Sequence, residues 1–380
     1  MKYEEFDQYL LQSEPGKRDK AQAWKTAIGL QEVDGLTPSA YLLETAKRHI
    51  DGDITIDEVR HLLDSYYNTK SDRSDDTARS EEADKVSANI TKLLNEQSFS
   101  FSPAGLSAIH DRIFEGVFKF AGTFRNCNIS KKEWVLRGES VLYVSFSEIK
   151  RALQHDFDME KEFSYKNLAT ADMITHFAKF ISGIWQIHPF REGNTRTTAV
   201  FAIKYLRAMG FSVSNDLFAE HSWYFRNALV RANYRNYASN IEPEISHLEK
   251  FFRNLLLGET NELKNRYLII SAPEKLTPQA DRTSTGQAPD KLTVDNPQTL
   301  QLIKVIGNNE LTVKEMLSLI GMKHRETFLN NYLNPAIKDG FVRLLYPDSP
   351  RHPRQKYLLT VKGLAAFQEL QHRKTPRSAE

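Results

Sequence analysis

Apolar residues recur at helical spacing on both sides of a short polar loop near the middle of the chain. Upstream of the loop, apolar side chains are three and four residues apart, which predicts a helix that buries one face. These positions are Ile174, Phe177, Ile181 and Ile184. Downstream, residues 195–209 are rich enough in apolar side chains to predict a second, largely buried helix. The loop, residues 187–198, is therefore held at both ends by the hydrophobic core.

The N-terminal part of the chain shows shorter apolar repeats separated by turn residues. They predict three helices, at residues 17–30, 37–50 and 55–67. Small, polar and charged residues follow at 69–80 and predict a solvated boundary. We therefore expect a helical segment at residues 1–68 and a larger domain at residues 81–270.

Within the larger domain, two mostly apolar stretches flank a polar turn. Residues 133–136 and 141–144 enclose the sequence Arg-Gly-Glu-Ser at 137–140. Apolar runs separated by a short turn containing glycine are typical of a β-hairpin. We call residues 133–144 the flap and expect them to form two strands.

The C-terminal part begins with a change of composition. Residues 271–296 contain several prolines and few large apolar side chains, which predicts a flexible linker. Beyond the linker, the pattern predicts three helices and then two strands, at residues 299–306, 312–320, 325–338, 341–345 and 355–359. Three helices followed by a two-stranded ribbon predict a winged helix at residues 297–372.

Composition sets outer limits on the kind of protein. The chain has 380 residues, more than one core normally accommodates, so two or three domains are expected. Its 40% hydrophobic and 26% charged residues are ordinary for a soluble globular protein. The single cysteine, Cys127, excludes an internal disulfide. The chain shows neither a signal peptide nor an apolar run long enough for a membrane span, so we expect no membrane contact and a cytoplasmic location.

The central loop has the features of a phosphate cradle. Gly193, Asn194 and Thr195 lie where the second helix begins, and the first amides of a helix lack intrahelical partners and favour an anion. Gly193 lets the backbone approach a ligand, and Asn194 or Thr195 could cap the helix and contact oxygens. Arg196 adds a planar group suited to phosphate.

Two further residues of the loop suggest chemistry at that phosphate. Glu192 supplies one carboxylate, which is the sparse protein ligation that phosphate-bound Mg²⁺ usually receives. His188 is the nearby side chain that titrates close to neutral pH, so it is the candidate general base. The alternative interpretation is a solvated loop between two helices with one capping residue. It would explain Asn194, but it would not explain the histidine, the acid and the arginine together.

The string from His188 to Arg196 resembles the motif of the Fic family (filamentation induced by cAMP), His-Pro-Phe-x-Asp/Glu-Gly-Asn-Gly-Arg. The resemblance implies a mainly α fold, with a Fic helical core and a small β-hairpin flap. It also implies an enzyme that transfers AMP from ATP, with Mg²⁺, to a Tyr, Ser or Thr hydroxyl of a target protein. His188 would be the base and Glu192 would hold the metal. The nucleotide would be bound by Gly193, Asn194, Thr195 and Arg196.

In this family a hairpin at the flap clamps an extended segment of the target. The resemblance therefore implies docking by Trp134, Val135, Leu136, Gly138 and Val141. A purely structural hairpin is the alternative.

The N-terminal segment resembles the small antitoxins of Fic toxins, whose inhibitory helix carries Ser/Thr-x-x-x-Glu-Gly. In register, Asp34 stands in place of the glutamate before Gly35, and Leu30 in place of the Ser/Thr. The arginine that the family's glutamate normally pairs with is here Ala199. We therefore expect Asp34 to lack an arginine partner and the segment to obstruct the site by packing, chiefly through Leu30 and Val33. A structural extension is the alternative.

Two departures from the family motif leave other functions open. Thr195 replaces the second glycine, and Ala199 removes a phosphate contact. A Fic-type phosphotransferase, or transfer from another nucleotide, is therefore one alternative. A DNA-binding regulator with a vestigial Fic core is another, because residues 341–377 contain eight Lys/Arg and two acids. The predicted winged helix could contact DNA or protein.

Overall fold

The computed structural model describes residues 6–10, 14–70, 74–213, 216–270, 294–347, 349–350 and 352–372. It is mainly helical. The N-terminal half contains α1 (Asp7–Leu10), α2 (Pro15–Gly29), α3 (Ala40–Asp51), α4 (Ile56–Thr69), α5 (Asp75–Asn95), α6 (Pro103–Phe114), α7 (Ile149–Glu162) and α8 (Thr170–Ile187). The second half contains α9 (Asn194–Ala208), α10 (Asp216–Glu220), α11 (Ser222–Asn233), α12 (Ser246–Leu257), α13 (Pro297–Ile306), α14 (Val313–Ile320), α15 (Arg325–Phe328), α16 (Asn334–Lys338), strands β1 (Val342–Leu344) and β2 (Tyr357–Leu359), and α17 (Val361–His372).

Helix α8 is central to the main core because it contacts α7, α9, α11, α12 and α17. Its predicted apolar face is buried, and the first turns of α9 are buried as well. The loop between α8 and α9 is therefore fixed at both ends, as the sequence predicts. Within the described residues, none of the helices combines the length and apolar character needed to cross a membrane.

The N-terminal segment is packed into the same core. Helix α2 lies along α5, and Ala23, Ala27 and Leu30 belong to the main hydrophobic cluster. Gly29 is pressed against α10, because a Cβ atom there would lie 2.4 Å from Ala219 Cα. The three predicted N-terminal helices are present as α2, α3 and α4, and the predicted boundary at 69–80 instead includes the start of α5. The division into separate units at 1–68 and 81–270 stays a prediction.

The flap does not form the predicted strands. Trp134–Leu136 is a single 3-10 turn, and the chain reverses at Arg137 and Gly138, whose φ angles are 54° and 94°. The Glu133 N–H donates to the Glu139 carbonyl at 2.8 Å, so the flap folds back on itself without a β ladder. The reason is burial. Val135 and Leu136 are both fully buried, whereas neighbouring residues of a strand point to opposite faces.

The C-terminal unit has the predicted order of helices and strands. β1 and β2 are antiparallel, with Val342 opposite Leu359. The third predicted helix, 325–338, is interrupted by a π turn at Leu329–Leu333. Pro335 follows directly and has no N–H to continue the regular α pattern. That this unit is a winged helix stays a prediction, and most of the predicted linker, residues 271–293, lies outside the described residues.

Candidate active site

His188 ends helix α8 in a left-handed conformation, with φ 49°. Its Nδ1 lies 3.1 Å from the Trp185 carbonyl oxygen. Because a carbonyl only accepts, Nδ1 carries the proton and Nε2 has a free lone pair. Nε2 is buried and has no hydrogen-bond partner in the described part of the chain. Burial, and then the nearby charge of Lys131, lower the pKa of His188 well below its ordinary value. The His188 ring is therefore neutral at neutral pH, with the Nε2 lone pair available.

The His188 ring is enclosed by aromatic side chains. Tyr143, on the flap, stacks on it with ring centroids 4.0 Å apart and planes 24° apart. Trp185 meets the ring edge-on at 5.1 Å. Tyr143 is itself held from behind, because its hydroxyl faces Glu133, which accepts two hydrogen bonds from Arg226. Only 2% of His188 is exposed, so the base is covered by the flap.

Arg125 fixes the backbone on which His188 is mounted. Its Nε donates to the His188 carbonyl at 2.8 Å, and Nη1 donates to the Cys127 carbonyl at 2.8 Å. Nη2 reaches the Ile187 carbonyl at 3.3 Å, and the Arg125 N–H donates to Pro189 at 2.8 Å. The sequence analysis missed this role. An arginine next to a turn gives no local signal of the distant carbonyls it will bind.

His110, on α6, fixes the other side of the loop and was also missed. The Gly122 N–H donates to its Nδ1 at 2.9 Å, so Nε2 carries the proton and donates to the Glu192 carbonyl at 3.1 Å. The ring stacks on Phe190 with centroids 3.8 Å apart. Burial lowers the pKa of His110 to about 4. The ring is therefore neutral at neutral pH and suits this bridging position.

Gly193 brings the loop to the N-terminus of α9. Its φ is 73°, and a Cβ atom would lie 2.1 Å from the Phe114 ring, so only glycine fits here. The first helical hydrogen bond runs from the Thr197 N–H to the Gly193 carbonyl at 3.0 Å. The amides of residues 193–196 precede it and form the predicted anion-binding end of the helix.

The side chains of Asn194 and Thr195 do not cap the helix, which corrects one expectation. The Asn194 side chain pairs with the Phe190 backbone, accepting from its N–H at 2.9 Å and donating to its carbonyl at 2.8 Å. The Thr195 hydroxyl accepts from the Trp185 indole N–H at 3.0 Å. Both side chains stabilise the loop, and the backbone amides of these two residues lie at the start of the helix, where intrahelical partners are lacking.

The surroundings of Arg196 differ most from what the sequence predicts. It is 1% exposed, and its guanidinium is taken up by groups of the N-terminal half. Nη1 donates to Gln31 Oε1 at 2.9 Å, and Nη2 donates to Glu82 Oε1 at 2.7 Å. Nε lies 2.8 Å from Asp34 Oδ2 as an ion pair, although the angle is not that of a hydrogen bond. The expectation that Asp34 lacks an arginine partner is wrong. Ala199 is fully buried, with no exposed surface at which an arginine could reach solvent.

The same segment also packs closely at this point. Leu30 and Val33 are buried, as expected, and Gly35 ends the short 3-10 turn with φ 66°. Contacts join this turn to α9. The N-terminal segment therefore holds the first turn of α9 by both packing and charge.

Glu192, the predicted metal ligand, projects from the loop. Its Oε2 accepts from Lys131 Nζ at 3.0 Å, and its side chain is half exposed. The described residues contain no cluster of three or more His, Cys, Asp or Glu that could hold a metal ion. A single carboxylate beside a phosphate cradle suits Mg²⁺ that takes its remaining ligands from substrate phosphates and water.

The flap residues predicted to dock a target divide into two groups. Trp134 is 52% exposed, and Gly138 also lies at the surface. The others, Val135, Leu136 and Val141, are buried and cannot contact a target in this conformation. Leu142 and Phe146 are exposed apolar side chains that the sequence analysis did not select. Consecutive apolar residues do not reveal which of them face solvent.

Comparison with known proteins gives relatives at low identity. The sequence is 24% identical over 210 residues to a protein adenylyltransferase of Bartonella henselae. That alignment covers 51% of this chain, which spans only 37% of the relative's length. The alignment with a solved Fic family protein from Desulfovibrio desulfuricans G20 covers 94% of this chain and 94% of that protein, with 18% identity and a TM-score of 0.42. BepC of Bartonella tribocorum, solved with bound AMPPNP, covers 48% of this chain and 88% of its own at 18% identity and a TM-score of 0.38.

Family models match two regions. Residues 100–206 match the Fic/DOC family, within the predicted domain 81–270. Residues 297–360 match the model described as Filamentation induced by cAMP protein Fic-like, C-terminal domain. Residues 100–206 are therefore similar to the Fic/DOC family, and residues 297–360 are similar to a Fic-like C-terminal domain.

Proposed function

We propose that this protein is an adenylyltransferase that moves AMP from Mg²⁺-ATP to a Tyr, Ser or Thr hydroxyl of a target protein. The observation that carries the proposal is the unpartnered Nε2 of the neutral His188 ring. This ring lies on the loop that leads into the first amides of α9, which have no intrahelical partners. The adenylyltransferase relative supports the same chemistry.

The reaction follows from the position of these groups. His188 Nε2 takes the proton of the target hydroxyl as its oxygen attacks the α-phosphorus. The bond from that phosphorus to the bridging oxygen breaks, and diphosphate leaves. The amides of residues 193–196 stabilise the negative charge on the phosphates. Glu192 would hold Mg²⁺, which would supply positive charge to neutralise the phosphates.

We infer that this conformation is an inhibited one. The Asp34 and Glu82 carboxylates neutralise the Arg196 guanidinium, and the Lys131 ammonium pairs with the Glu192 carboxylate. The Tyr143 ring covers the His188 ring. We infer that the N-terminal segment must loosen around Arg196, and that the flap must move off His188, before both substrates can bind. Trp134 and Leu142, the exposed apolar side chains of the flap, are then the first target contacts.

The experiment that tests the proposal uses ATP labelled at either end. Purified protein and its Asp34→Ala variant are incubated with cell lysate and with α-labelled or γ-labelled ATP. Retention of the α-label on protein supports adenylylation, and retention of the γ-label would mean phosphoryl transfer. Other α-labelled nucleoside triphosphates test for a different nucleotide.

His188→Ala is the matched variant for this assay. It should lower transfer by about 10² to 10⁴-fold while ATP still binds, because loss of a general base affects the transition state more than the cradle. Wild-type transfer by His188→Ala would remove this residue from the mechanism. Absence of transfer of either label, together with a shift of duplex DNA by the full chain, would support a DNA-binding regulator instead.

A further inference from the structure

Lys131 lies over the active loop although no motif selects it. It precedes the flap, where its backbone N–H donates to Ser140 Oγ at 3.2 Å. Its ammonium donates to Glu192 Oε2 at 3.0 Å. It also makes the largest charge contribution that lowers the pKa of His188, so it lies close to both the proposed base and the proposed metal ligand.

Both arginines of the loop are engaged with protein groups in this conformation. Arg196 is buried against two carboxylates, Asp34 and Glu82. Arg191 is exposed and donates to Asn126 Oδ1 at 2.7 Å, with its guanidinium over the Phe120 ring. In this conformation neither arginine extends a free fork over the amides of residues 193–196, whereas the Lys131 ammonium already lies beside the loop at Glu192.

We propose, on the basis of the proposed function, that Lys131 contacts the nucleotide. The Lys131 ammonium moves from the Glu192 carboxylate to the phosphates of ATP when Mg²⁺ replaces the ammonium at Glu192. The exchange keeps every charge paired. Before binding, the Glu192 carboxylate is neutralised by the ammonium, and afterwards it faces the metal while the ammonium faces phosphate oxygens. A long, partly exposed lysine side chain can make this change by rotation about its own bonds.

The pairing with Glu192 also predicts a cost to metal binding. An ammonium and Mg²⁺ compete for the same carboxylate, so nucleotide-free protein should bind divalent cations poorly. When phosphate is present, Lys131 has an alternative partner and the competition is relieved. Lys131 therefore couples occupancy of the metal position to occupancy of the phosphate position.

The test measures binding and does not depend on transfer. ATP and AMP are titrated by calorimetry at saturating Mg²⁺ into wild-type protein, Lys131→Ala, Lys131→Arg and Lys132→Ala, each also in the Asp34→Ala background. Lys132 is the exposed neighbour and the matched control for loss of one positive charge. Thermal unfolding confirms that each variant is folded.

The expected result is that Lys131→Ala weakens ATP binding at saturating Mg²⁺ by about tenfold or more, as for loss of a hydrogen bond to a charged group. AMP, with fewer phosphates, should be affected less, Lys131→Arg should retain most of the affinity, and Lys132→Ala should match wild type. Equal ATP affinities for the Lys131→Ala and Lys132→Ala proteins would overturn the proposal.

The outcome is separable from the proposed function. If Lys131→Ala weakens ATP binding but the wild type transfers no label, the lysine contact stands and adenylylation fails. If transfer occurs and Lys131→Ala binds ATP like the control, adenylylation stands and the lysine contact fails. If none of the proteins binds ATP even in the Asp34→Ala background, both are refuted.

Discussion

Asp34→Ala is the substitution that most directly tests how the N-terminal segment acts on the site. Its carboxylate lies 2.8 Å from Arg196 Nε, across the contact between the segment and α9. Removing the carboxylate leaves the buried guanidinium with Glu82 and Gln31 as its remaining partners. The substitution therefore weakens the closed contact without removing any group of the proposed catalytic loop.

The magnitude follows from burial. Removing one partner of a fully buried pair costs about 3–5 kcal/mol. The Asp34 side chain is 30% exposed, and Arg196 keeps a second carboxylate, so the expected loss is smaller, about 1–2 kcal/mol. That free energy corresponds to a shift of roughly 5 to 30-fold toward the open conformation. ATP affinity and transfer should rise by up to that factor, and the thermal midpoint should fall.

The assay compares Asp34→Ala with Asp53→Ala, which removes an exposed acid of the same segment. ATP affinity is measured by calorimetry, and transfer is measured with α-labelled ATP. If the two variants bind ATP equally and transfer at equal rates, the Asp34 contact does not restrain the site. A fall in thermal midpoint without a gain in binding would show that the contact is structural alone.

Deleting residues 1–68 is a less informative test. Ala23, Ala27 and Leu30 complete the main core, and the Ser222 hydroxyl donates to the Gly29 carbonyl at 2.8 Å. Because deletion exposes the faces of α5 and α10 that α2 covers, the truncated chain should be destabilised whether or not the segment inhibits. A point substitution separates inhibition from folding, and the deletion does not.

Two further predictions concern buried histidines. Tyr143→Ala should speed the carbethoxylation of His188, measured by mass spectrometry, because the substitution uncovers the His188 ring. Tyr237→Ala, which removes an exposed ring, is the control and should leave the rate unchanged. Equal rates in the two variants would contradict the role of Tyr143 as a cover. Burial lowers the pKa of His49 and His110 to about 4, so the unfolded chain, with a pKa near ~6.5, binds more protons between these values. Stability to urea should therefore fall as pH drops from about 6.5 toward 4, by at most ~1.4 kcal/mol per pH unit for each histidine. If His110→Gln left the pH dependence of the free energy of unfolding unchanged, the predicted contribution of His110 would be refuted.

The sequence predicts those parts of the structure that depend on local pattern. The helices on both sides of the loop follow from apolar residues at regular spacing, and the loop's placement follows from those helices. Gly193 is predicted because a glycine lets the backbone approach a ligand, and His188 because its side chain titrates close to neutral pH beside the predicted phosphate cradle. These signals lie within a few residues of the features they predict.

The errors concern contacts between distant parts of the chain. Gln31 and Arg196 are 165 residues apart in sequence, and no local pattern announces that they will meet. The planar guanidinium group of Arg196 binds phosphate and carboxylate equally well. Its partner is therefore decided by which element packs beside it. The flap failed for a related reason. Val135 and Leu136 are both buried because other parts of the chain cover them, including residue Ile270, whose N–H donates to the Val135 carbonyl at 2.9 Å.

Two glycines lie where the residues after α9 contact the C-terminal unit, and they give a last prediction. Gly210 follows α9 with φ 92°, and Gly340 precedes β1 with φ 74°. A Cβ atom on either glycine would lie 2.2 Å from the carbonyl oxygen of the other. Since both neighbours are backbone, Gly340→Ala must push the two units apart. The thermal midpoint should fall, and proteolysis between the units should become faster.

Gly321→Ala is the matched control because it separates backbone strain from the steric clash. Gly321 lies in the same C-terminal unit with φ 78°, and nothing lies within 4 Å of its Cβ position. Both substitutions place alanine in a left-handed conformation, which costs about 1–2 kcal/mol. Gly340→Ala should be the more destabilising of the two, because it adds the clash with Gly210. Equal losses of thermal stability would mean that the units separate without cost at this contact, and that the C-terminal unit is not held rigidly against α9.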